Sequence, residues 1–109
     1  MNEGSTERFA VAVITGIITA GMPPSSAAKI AAKVINVLEL NPQRDALLRV
    51  FSNALKIDSV LSVWAERDRL YADFMTSKDK ARFLQMIKGI GPVTAAQLVK
   101  MFSEPGREP

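Results

Sequence analysis

The sequence predicts an all-α protein, a compact bundle of about six short helices. Three observations carry this. Apolar residues recur at spacings of three and four along most of the chain, the period of one helix face. The chain is punctuated at helix-terminating positions: Gly21 with Pro23-Pro24, Asn41-Pro42, and Gly89 to Pro92. The one β-branched run, inside Phe9 to Met22, has no second strand-like segment with which to pair.

Taken in order, Met1 to Ser5 is polar and expected to fray. In the first helix Phe9, Val13 and Ile17 step by four, as do Ala10, Ile14 and Ile18, and Gly21 stands where a C-cap belongs. The run is too short to span a bilayer, which takes roughly 20 apolar residues. Glu3 and Glu7 ahead of it oppose a signal-peptide reading. The second helix runs from Pro23-Pro24-Ser25-Ser26 to about Leu40 on a stripe of Ala27, Ile30, Ala31, Val34 and Leu38. Asn41 is expected to cap a third helix with Pro42 at its first position, burying Ala46, Leu47, Val50, Phe51, Ala54 and Leu55. Asp58 or Ser59 would cap a fourth, to about Met75, with Val60, Trp64, Tyr71, Phe74 and Met75 inward and the stem of Arg67 closing the gap. Glu66 to Arg69 reads as a solvated face with local ion pairs. Thr76 and Asp79 resemble a capping box opening a fifth helix to Lys88. A sixth starts at Pro92 and ends near Phe102. The expected organisation is one domain without internal repeat: a scaffold over about 5–75, a hairpin unit over about 77–102 and a polar tail, 103–109.

Composition narrows the chemistry. With 48% hydrophobic and 23% charged residues, the 109-residue chain has the balance of an ordinary folded domain. It has no cysteine, which excludes disulfides and thiolate metal sites and suits a reducing, cytoplasmic setting. It has no histidine, which removes the commonest general base and metal ligand. An enzyme is the reading least supported: Asp68 and Asp73 are candidates only by default. The net charge is +3, and its excess is local. Between Thr76 and Met101, Lys78, Lys80, Arg82, Lys88 and Lys100 face only Asp79.

That basic stretch surrounds Gly89-Ile90-Gly91-Pro92. Leu84 and Ile87 lie before the glycines at helical spacing, and Ala95, Leu98 and Val99 after them. A glycine–apolar–glycine hairpin with Ala four positions after the second glycine resembles the helix-hairpin-helix motif of DNA-binding proteins that do not read sequence. Pro92 and Thr94 are also common in that motif. The match covers about one-fifth of the chain. It implies that the backbone amides of Gly89, Ile90, Gly91, Val93 and Thr94 grip phosphates, helped by Lys80, Lys88 and Lys100, while Ile90 tucks between the two helices. It also implies that hairpin carbonyls can hold a monovalent cation; no other cofactor is expected. Val93 departs from the motif, since Lys or Arg is frequent there, and in related glycosylases a Lys at this position can be the amine nucleophile. No catalytic Asp follows it in this sequence, so the resemblance extends to binding of the DNA backbone, as a duplex, and not to catalysis.

Two other readings compete. Thr19 to Ala28 faintly resembles a helix-turn-helix, but Lys29 and Lys33 on an Ala-rich helix are poor for base readout. The chain can instead be a protein-interaction module, an adaptor or inhibitor or a homodimer through its apolar first helix. Met75, Met86 and Met101 would then be adaptable contacts and the hairpin only structural.

Overall fold

The computed structural model describes residues 2–103, which form seven helices and no strand. They are α1 (Asn2–Thr19), α2 (Pro24–Leu40), α3 (Arg44–Val50), α4 (Ala54–Ala65), α5 (Arg67–Thr76), α6 (Lys80–Gln85) and α7 (Pro92–Ser103). The all-α expectation holds. The tail residues 104–109 and Met1 lie outside the described residues.

Helix α1 is the centre, touching α2, α4, α5 and α7. Phe9, Ala10, Val13, Ile14, Ile17 and Ile18 are fully buried, the two stripes the sequence shows. Burial of each large side chain contributes about 1.5–3 kcal/mol, which outweighs the few tenths by which β-branched residues disfavour a helix. The Phe9 ring lies 5.0 Å from Phe74, 5.4 Å from Tyr71 and 5.8 Å from Phe102, joining the start of α1 to α5 and α7. Asn2 to Ser5, expected to fray, belong to α1.

The middle of the chain is divided differently from the expectation. Asn41 does not cap α3; it closes α2, its N–H bonding to Val37 O. The third helix, expected to reach Leu55, is broken at Phe51 to Asn53, because the Asn53 side chain accepts from Lys56 N and starts α4 there. Ala54 and Leu55, expected inward, thus fall in the first turn of a new helix and face solvent, Leu55 at 73% exposure. Asp58 caps nothing; within α4 its carboxylate accepts from Arg44 Nε at 2.7 Å. Met75 is exposed. Arg67 does fill its gap, with its guanidinium 4.2 Å above the Trp64 ring. Glu66 and Asp73 both pair with Arg69 at the surface. The Thr76–Asp79 box does not form. Asp79 is itself the cap, accepting from Arg82 N, while Thr76 Oγ1 turns back to Ala72 O. Helix α6 stops at Gln85 and passes into a turn through Met86 N–H to Phe83 O and Ile87 N–H to Leu84 O.

The chain also contains a repeat. Gly21-Met22-Pro23-Pro24-Ser25-Ser26-Ala27-Ala28 recurs 68 residues on as Gly89-Ile90-Gly91-Pro92-Val93-Thr94-Ala95-Ala96. The backbones agree bond for bond. Gly21 and Gly89, at φ 78° and 98°, are the positive-φ residues among those described. Met22 N–H donates to Thr19 O as Ile90 N–H does to Ile87 O. Ala27 N–H donates to Pro23 O as Ala95 N–H does to Gly91 O, both at 2.9 Å. Pro24 and Pro92 open α2 and α7, and Ala27 and Ala95 are buried. A positive-φ glycine ends one helix and a first-position proline starts the next, so both turns solve one geometric problem alike.

Candidate functional site

The rear hairpin, residues 86–94, stands on the core. Leu84, Ile90, Ala95 and Leu98 are buried and fix α6 against α7. Behind them is α1. A Cβ placed on Gly89 would lie 3.2 Å from Ile17 Cγ2. One on Gly16 would lie 2.7 Å from Thr94 Cγ2 and 3.5 Å from Ile90 Cδ1. The hairpin is therefore seated on the last turns of α1. Gly16 and Ile17 lie just before the end of α1 at Thr19, and the front hairpin begins directly after it. Both hairpins thus stand at the same end of α1.

The outer side of the rear hairpin is open. A Cβ on Gly91 would meet nothing within 4 Å, and Val93 is 70% exposed. Among the described residues, the N–H groups of Gly91, Val93 and Thr94 meet no protein acceptor. Such unpaired donors, with the positive end of the helix dipole behind them, are suited to an anion. In the front hairpin the glycine is Pro23, which removes one donor and leaves those of Ser25 and Ser26.

The predicted residues divide into two groups. Lys88, Gly89, Ile90, Gly91, Val93 and Thr94 are gathered at the turn. Ile90 and the Thr94 methyl face α1, so these two contribute backbone rather than side chain. Lys88 is exposed and lines a cleft with Leu55, Asp58, Ser59, Glu66 and Arg69. The hydrogen bond from Arg44, then the charges of Arg44 and Lys88, hold the Asp58 carboxyl below the usual carboxylate range. Lys80 is not brought to the turn: at the far end of α6, its Nζ donates to Ser77 O at 3.1 Å. Lys100 is exposed in the last turn of α7, about 9 Å along the helix from Thr94.

Sequence reading did not find Lys56. Its Nζ donates to Ile18 O at 3.0 Å and Ala20 O at 2.8 Å, satisfying the end of α1 beneath the front hairpin. The corresponding rear carbonyls, those of Met86 and Lys88, receive no side-chain donor among the described residues. Gly16, which admits Thr94, also went unread. The signal for the front hairpin was present, as the spacing Gly-x-x-Pro-x-x-Ala-Ala shared by both turns.

On one side, α1 and α7 leave an open trough of about 780 Å³ between them. No described helix is long and apolar enough to cross a membrane. No protein-family model, curated protein or solved structure matches the chain.

Proposed function

We propose that this protein binds the sugar-phosphate backbone of duplex DNA without reading its sequence, through the hairpin of Lys88 to Thr94. The observation that carries this is the set of three unbonded N–H groups at Gly91, Val93 and Thr94, at a turn whose Gly91 has open space where a Cβ would stand. Lys88 adds charge at the turn, with Lys100 further along α7; Lys80 is held at Ser77 O, at the end of α5. The front hairpin supplies a second, weaker contact beside the first. A monovalent cation on the open carbonyls of Met86 and Lys88 belongs to the same proposal, with the Lys56 ammonium in the matching place at the front. The role is binding and not catalysis, for Val93 offers no amine, and we place it in the cytoplasm, where a cysteine-free chain meets DNA.

The test is a salt series on several unrelated duplexes by fluorescence anisotropy. Affinities should agree across sequences, and log K should fall linearly with log salt. Gly91→Glu should weaken binding at least tenfold with unchanged helicity, since its side chain enters open space and its φ is not positive. No binding at low salt, or equal binding by the variant, would refute the proposal and favour a purely structural hairpin in a protein-interaction module.

A further inference from the structure

We infer that Asp58 governs how much of the Lys88 charge reaches DNA, and that Arg44 sets the strength of that control; the inference rests on the phosphate-binding reading of the rear hairpin. Lys88 has one fixed end and one free end. Its backbone is pinned, because it precedes the positive-φ Gly89, which is seated against Ile17. Its ammonium has no ion-pair partner among the described residues. Two anions compete for it. One is the phosphate placed at the amides of Gly91, Val93 and Thr94. The other is the Asp58 carboxylate, which lines the same cleft as Lys88, between α4 and the turn.

The other charges of the cleft are engaged. Glu66 and Arg69 line it too, but they pair with each other, and Arg69 also holds Asp73. Asp58 is held through one oxygen only. Its Oδ1 accepts from Arg44 Nε at 2.7 Å, while Oδ2 receives no protein donor among the described residues. A carboxylate accepts at both oxygens, so one remains for a second cation. Arg44, the first residue of α3, does not line the cleft, whereas Lys88 does. The Arg44 hydrogen bond first, and the charges of Arg44 and Lys88 after it, hold the Asp58 carboxyl low, so Lys88 already feels this carboxylate. Asp58 is thus a positioning residue that draws the ammonium away from the phosphate. Arg44 limits the draw by occupying Oδ1 and cancelling part of the charge. Two helices outside the hairpin, α3 and α4, thereby set the strength of its contact.

Anisotropy titrations of one short duplex, arranged as a double-mutant cycle, test this. Asp58→Asn should tighten binding roughly two- to fivefold, the range of a surface ion pair, and Arg44→Met should weaken it. In a Lys88→Met background the Asp58→Asn gain should vanish, whereas simple repulsion between Asp58 and DNA would persist there. Far-UV circular dichroism should be unchanged throughout, since the Arg44 and Asp58 side chains are half exposed. In the DNA-free protein, the Asp58 carboxyl followed by NMR should titrate at higher pH in Lys88→Met than in the wild type. A wild type that binds duplex, with an Asp58→Asn gain undiminished by Lys88→Met or an Asp58 titration indifferent to it, overturns this inference and leaves the DNA reading standing. A wild type that binds no duplex removes both.

Discussion

Lys56 reaches from α4 to the end of α1, where its ammonium holds two carbonyl oxygens that no helical N–H can reach. Hydrogen bonds from a charged donor contribute about 1.5–3 kcal/mol, and a cation at a helix C-terminus gains from the dipole as well. Lys56→Met keeps the apolar stem and removes the ammonium. It should destabilise the fold by about 1–2 kcal/mol in urea denaturation with an unchanged m-value, because two acceptors lose a charged partner. Nothing in the local sequence marks this lysine. It sits in the first turn of α4, beside exposed Leu55, and its partners lie 36 and 38 residues away. Long-range pairing of one side chain is set by packing, which periodicity does not encode. Gly89 was readable, because a glycine between a helical stripe and a proline announces a positive φ. Gly16 was not, because in mid-helix it looks like any small residue until Thr94 is seen against it.

Among the elements, α2 and α7 were legible nearly to the residue, since a proline opens each and an amphipathic stripe continues it. The α3–α4 break was not. Ala46, Leu47, Val50, Phe51, Ala54 and Leu55 satisfy one helical face across the break, so their pattern gives no reason to stop. What stops the chain is Asn53, whose side chain competes for the backbone and captures the N–H of Lys56. Asn53→Ala removes that cap and should cost about 1 kcal/mol by chemical denaturation, whereas Asn53→Asp or Asn53→Ser should cost much less. A loss confined to the alanine variant would assign the break to capping; equal losses in all three would assign it to packing of Phe51.

At the scale of the whole molecule, the radius of gyration is 13.5 Å, close to the ~13 Å expected of a folded chain of about 100 residues. Compactness follows from α1, which is buried on most sides and gives every neighbouring helix a common surface. The sequence shows α1 as its most apolar stretch, and so shows where the core lies. It carries the pairing of the two hairpins only faintly, in the Gly, Pro and two Ala that coincide among the eight aligned positions. The two turns share backbone geometry across different side chains, as their matching hydrogen bonds show.

The placing of both hairpins at the same end of α1 has a consequence for avidity. Two weak contacts on one rigid mount behave as a bivalent ligand, with the second meeting its phosphate at a high effective concentration once the first is engaged. Even a short duplex then spans both hairpins, so losing either contact should weaken binding by more than its own small share. Gly91→Glu should therefore lower the affinity for a short duplex and flatten its salt dependence to that of a single contact, as anisotropy titrations of both proteins would show.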